Sequence, residues 1–232
     1  MLPKLSCFPL LILEVGRMSA SAGSGYFISP DEGPGPGVLL LHGFLGLDRG
    51  TKDMANELAD LGFTVLAPDL ANGHIFEDEV AAVEALAHVD MNVSASLVQS
   101  STSVLRQAQA DPDAPIGVVG LGPGASFALW LSVRLVEEVG AVATYYGSQN
   151  IDMSPSKASY LAHWASDDAH VDDFAVADLG LSLKLADRPF EFRHHDDVSS
   201  GFAEASHPNF DGEVAAVAWR QTSEFLASLL HP

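Results

Sequence analysis

The sequence predicts an α/β domain built on a doubly wound, mostly parallel sheet with helices on both faces. Two features predict it. Short, unbroken apolar runs such as "VLLLH", "FTVLAPD" and "IGVVG" end in turn residues, the pattern of strands covered on both faces. Helical-period segments alternate with these runs along the chain, the order of strand–helix–strand units rather than of an antiparallel sandwich.

The elements follow in order. After the Gly/Pro-rich turn "SPDEGPGPG", residues 38–42 form the first interior strand. Residues 49–61 read as a helix, because Met54, Leu58 and Leu61 fall at i, i+4 and i+7. Gly62 stops that helix, and residues 63–69 give the next strand. A polar, acidic stretch around 77–84 leads to a helix over 93–109. A strand at 116–120, a helix over 124–137 and a strand at 141–147 come next. The chain closes with a strand at 158–165, a helix over 174–185, a strand at 190–195 and a helix over 213–229. The expected organisation is an extension over residues 1–24, disordered or forming an outer strand, followed by one domain over 25–232.

Composition narrows the function. The 232 residues include 11 Lys and Arg against 31 Asp and Glu, a formal net charge of −20. Such a charge repels nucleic acid and anionic membranes, both of which are bound through cationic side chains. The single Cys7 excludes an internal disulfide framework and a multi-cysteine metal site. Nothing in the cysteine usage points to an oxidising compartment, so a cytoplasmic setting is expected. The run from Cys7 to Leu13, with Lys4 before it and "ASA" after it, has some character of a secretory leader. Glu14 and Arg17, lying between the run and the small residues, count against that reading, and the run is too short to span a bilayer.

In doubly wound sheets, ligands bind beyond the carboxyl ends of the strands. The stretch "GVVGLGPGASFAL" is therefore central: a strand, a sharp glycine-rich turn and a helix. As a dinucleotide-binding turn it is weak. It stands mid-chain, lacks the acidic partner about 20 positions on, and Pro123 removes an amide that would bind phosphate.

Four segments in order give a stronger reading. These are "VLLLHGFLGLDRGTKDMANELADLGFTVLAPDL", "GVVGLGPGASFAL", "YLAHWASDDAHV" and "SSGFAEASHPNFDGEVAAVAWRQTSEFL". Together they resemble the dienelactone hydrolase family of α/β hydrolases from about residue 37 onward. The resemblance implies the α/β-hydrolase fold and an ester- or lactone-hydrolysing ancestry. The family's chemistry needs a nucleophile at the elbow apex, an imidazole to take its proton and a carboxylate to orient that imidazole. By position, the nucleophile falls on Gly122, which has no side chain. The next residue, Pro123, has no N–H to give an oxyanion hole. The acid position holds Asp168. The histidine position holds Ser200, followed by Gly201 and Phe202. The acidic residue that follows the first strand in family members falls near Gly43 and is also missing.

Substitutes are few. Ser148 sits at a strand's ligand-facing end and is the candidate replacement nucleophile; Ser126 lies one turn into the helix, facing packing or backbone. His194, His195 and His207 lie near the displaced histidine position. His163 and His170 flank the acid loop but have no metal-ligand partners at a recognisable spacing. His42, Gly43, Phe44, Pro123 and Phe202 are the expected ligand contacts. No metal or cofactor is expected. The resemblance implies a small ester, lactone or carboxylate ligand for a monomer or homodimer. The expected function is hydrolysis that is impaired or atypical, or alternatively small-molecule or protein binding without catalysis.

Overall fold

A computed structural model of the chain describes residues 18–20 and 23–230; most of the N-terminal extension, and with it the leader-like run, lies outside them. The described residues form one eight-stranded sheet in the order β1-β2-β4-β3-β5-β6-β7-β8. The outer strands β1 (Met18–Ala20) and β2 (Gly23–Ile28) pair antiparallel, as do β2 and β4 (Thr64–Pro68). The sheet thus begins ahead of residue 25. Every other pairing is parallel, through β3 (Gly37–Leu41), β5 (Ile116–Leu121), β6 (Val139–Tyr145), β7 (Ser159–Asp167) and β8 (Phe190–Ser199).

The unbroken apolar runs become interior strands because their side chains alternate between two cores. Val38 and Leu40 of β3 and Val119 and Leu121 of β5 join one core, against α1 (Arg49–Asp60) and α6 (Gly212–Leu230). Leu39, Leu41, Ile116 and Val118 join the other, against α3 (Met91–Ala108), α4 (Pro123–Arg134) and α5 (Asp173–Leu185). Polar caps set the helix starts. Asp48 Oδ1 accepts from the Thr51 N–H at 2.8 Å, and Asp172 Oδ1 from the Ala175 N–H at 2.8 Å.

Two elements differ from the sequence expectation. The acidic stretch carries a helix, α2 (Glu79–Leu86), capped by Asp78. Ala82 is its one buried residue, so it shows no apolar stripe for periodicity to detect. The strand expected over 190–195 runs on to Ser199, past a register shift opposite Ala165 and Asp167 that breaks the period-2 pattern.

Candidate functional site

The turn between β5 and α4 is an elbow by its backbone. Gly122 has φ 48 and ψ −116, a combination that costs a side-chain-bearing residue strain. Its N–H donates to the Tyr145 carbonyl at 3.0 Å, and its own carbonyl accepts from the Ala125 N–H at 3.0 Å. Pro123 opens α4, where its missing N–H costs the helix nothing. No side chain stands at the apex. The space above it is held by Phe44, whose ring carbons lie 3.4 Å from where a β-carbon on Gly122 would be. Phe44 in turn lies against the His170 ring, with centroids 4.7 Å apart.

Asp168, expected at the acid position, makes no hydrogen bond to an imidazole among the described residues. Its Oδ1 accepts the backbone N–H groups of His170 at 2.8 Å and Val171 at 3.1 Å. Oδ2 is buried with no hydrogen-bond partner among the described residues. Burial raises the carboxyl above its ordinary pKa, against the pull of those two amides. Ser200, at the histidine position, is buried; its N–H donates to the Asp167 carbonyl at 3.0 Å and its carbonyl accepts from Asn209 Nδ2 at 2.9 Å.

The two remaining serines face backbone. Ser126 Oγ donates to the Ser148 carbonyl at 2.9 Å, and Ser148 Oγ to the Ala175 carbonyl at 3.4 Å. Neither makes the hydroxyl–imidazole contact that activates a serine.

Groups from distant segments meet here, among them Glu204, which sequence reasoning passed over. Glu204 is 8% exposed, and its Oε1 accepts the Tyr146 hydroxyl at 2.8 Å. Burial, with Asp48 and Glu79 nearby, pushes its pKa up to about 7, although the Tyr146 bond pulls the other way. A β-carbon on Gly43 would lie 2.3 Å from Glu204 Oε2. The Glu204 carboxylate therefore occupies the space that a side chain at position 43 would enter. The signal was present as a glycine and a glutamate in segments 160 residues apart, which no local pattern connects.

A second cluster joins α2 to the acid loop. Glu79 Oε2 lies 3.3 Å from His170 Nε2, and Glu79 Oε1 lies 3.2 Å from His207 Nε2, the latter without hydrogen-bond alignment. Among the described residues, no group of three or more His, Cys, Asp or Glu side chains could hold a metal ion. His163 is buried against His195 and Thr222, at 3.0 and 3.1 Å. Burial, reinforced by His195 and Arg193, lowers its pKa to about 3, which fits a neutral core imidazole. Of the adjacent pair at the end of β8, His195 turns inward to His163 while His194 stays exposed.

A cavity of about 940 Å³ opens beside Phe44. His42, Gly43, Phe44 and Pro123 line it, together with the segment after β4 and helices α2 to α4. His42 is built in: Nδ1–H donates to the Gly43 carbonyl at 2.8 Å and Nε2 accepts the Leu70 N–H at 3.0 Å. Burial lowers its pKa. Phe202, the fifth expected contact, is fully buried against Tyr146 and His195 instead. Gly122, Asp168, Ser148 and Ser200 do not line the cavity.

Comparison with known proteins agrees with this architecture. The model of the dienelactone hydrolase family matches residues 24–230. A carboxymethylenebutenolidase from Rhodococcus opacus is 27% identical over 220 residues, covering 87% of this chain and 84% of that protein. A dienelactone hydrolase-like promiscuous phosphotriesterase from metagenomic libraries superposes with a TM-score of 0.78 at 22% identity, over 89% of this chain and 92% of the other. An α/β-hydrolase enzyme from a Medee basin deep-sea metagenome superposes with a TM-score of 0.72 at 13% identity, over 94% and 98% of the two chains.

Proposed function

The chain belongs to the dienelactone hydrolase family, and on that premise we propose that it keeps the α/β-hydrolase fold to bind a small ester- or lactone-like molecule, with nucleophile–imidazole hydrolysis lost. One observation carries this reading: the elbow apex is a glycine roofed by Phe44, and the oriented oxygen that Asp168 would offer an imidazole has no partner. Covalent acyl transfer needs an apex nucleophile and a base to deprotonate it, and Pro123 removes the N–H that would follow the nucleophile in the oxyanion hole. The acidic composition and single cysteine support a cytoplasmic setting. No helix among the described residues is long and apolar enough to cross a membrane.

The test is a fluorophosphonate probe with p-nitrophenyl acetate on the purified protein. Absence of stoichiometric labelling, and hydrolysis no faster than buffer, is the expected result. Labelling mapped to Ser126, Ser148 or Ser200 would overturn it.

A second reading, hydrolysis by an activated water, is favoured by the His170–Glu79 pair beside Phe44. It requires probe-insensitive hydrolysis that is abolished in His170→Ala.

A further inference from the structure

Building on the ligand-binding reading, we propose that the cavity beside Pro123 takes a neutral, largely apolar molecule and discriminates against anions, carboxylates included. Its volume of about 940 Å³ lies within the span of small-molecule sites, roughly 300–1,000 Å³. Most of the exposed wall is apolar, with Leu70 and Phe76 from the segment after β4, Leu86 and Leu97 from α2 and α3, and Phe127 from α4, and its polar side chains are mainly neutral serines, asparagines and histidines.

Two buried polar groups of its lining, His42 and Asp69, are already engaged. His42 uses both ring nitrogens on backbone. Asp69 accepts from the Ser24 hydroxyl at 3.0 Å and from the Ala71 and Gly73 N–H groups at 3.0 and 2.6 Å.

What the walls do not carry matters as much. Among the described residues, no lysine or arginine lines the cavity, whose basic side chains are the imidazoles of His42, His74 and His88. An anion moved into such surroundings loses its hydration without a fixed cation to offset the loss. Asp69, 8% exposed, adds a like charge at the base, and the net charge of −20 extends the repulsion beyond the site. The helix end that could help, at α4, begins with Pro123 and so has one donor fewer to offer an anion.

Two dyes that differ by one sulfonate test this directly: neutral N-phenyl-1-naphthylamine and anionic 8-anilino-1-naphthalenesulfonate. Binding is followed by fluorescence at pH 8, above the ordinary imidazole range. The neutral dye should bind saturably at one site, at least about tenfold tighter than the anionic dye. Leu97→Trp, which fills the cavity, should weaken the neutral dye about tenfold while the thermal midpoint reports an intact fold. Ser96→Lys, on the same wall, should tighten the anionic dye at least about fivefold and leave the neutral one within about twofold.

Equal affinity for the two dyes, or tighter binding of the anion to the wild type, would overturn the ligand class while leaving the binding function standing. Failure of both dyes to bind, or binding indifferent to Leu97→Trp, would overturn the assignment of the cavity. Serine labelling by the fluorophosphonate would refute loss of catalysis whatever the dyes do.

Discussion

The ring of Phe44 packs over Gly122, its Cδ2 and Cε2 both 3.4 Å from where an apex side chain would begin. Restoring a hydroxyl there should not restore chemistry. Gly122→Ser leaves Asp168 without an imidazole to orient and places a side chain at φ 48. The variant should lose about 1–3 kcal/mol of stability by urea denaturation, with p-nitrophenyl acetate turnover equal to that of the wild type. A variant that turns over faster would show that a base does reach the apex.

Glu204 makes stability depend on pH. Its folded value of about 7 lies above the ordinary 4.5, so the folded chain holds this proton more tightly than the unfolded chain does. The stabilisation is complete below about pH 4.5 and is lost as pH rises through 7. Glu204→Gln keeps an acceptor for the Tyr146 hydroxyl and removes the titration. Relative to wild type it should gain up to about 3 kcal/mol above pH 7. Parallel stability curves for the two proteins between pH 5 and pH 8 would contradict the burial argument.

Asp168 should behave as a structural residue. In Asp168→Asn the amide oxygen still accepts from His170 and Val171, while the charge at the buried Oδ2 position disappears. Because burial raises the wild-type carboxyl, the wild type loses stability relative to the variant as pH climbs through that raised range. The calorimetric midpoints should cross in that direction, with any residual esterase rate unchanged. Hydrolysis above the buffer rate in the wild type that falls tenfold or more in the variant would instead identify Asp168 as an orienting acid.

Asp69 pins the wall of the cavity through three accepted hydrogen bonds. Asp69→Ala leaves the Ala71 and Gly73 amides without their acceptor, at a cost of about 1–3 kcal/mol. Hydrogen exchange at residues 70–74 should quicken, and the neutral naphthylamine should bind more weakly. Unchanged exchange would show that the segment is held by other contacts, such as the Phe76 N–H to the Leu45 carbonyl.

The interior strands were legible because Val38 to Leu41 and Ile116 to Leu121 carry the physical signature of burial on both faces, which needs no knowledge of partners. Helix α2 was not, since Val80 and Val83 are exposed and only the Asp78 cap marks its start. The strand–turn–helix around Gly122 was legible because its neighbours in sequence define it. Glu204 and Glu79 were missed because their roles come from contacts between distant segments. Phe202 is a related case: a phenylalanine beside a site looks the same in sequence whether it faces ligand or core.

The pairing of Gly43 with Glu204 constrains the order in which this site can change. A β-carbon at position 43 would meet the Glu204 carboxylate at 2.3 Å, so a side chain there requires that buried, Tyr146-bonded carboxylate to move. The reverse order is open, since shortening Glu204 first empties the volume that a residue at position 43 would fill. The two positions are epistatic: Gly43→Ala should be damaging alone and largely relieved in a Glu204→Ala background, as a double-mutant cycle would register. What position 43 can hold is therefore set by where the residue at 204 puts its carboxylate.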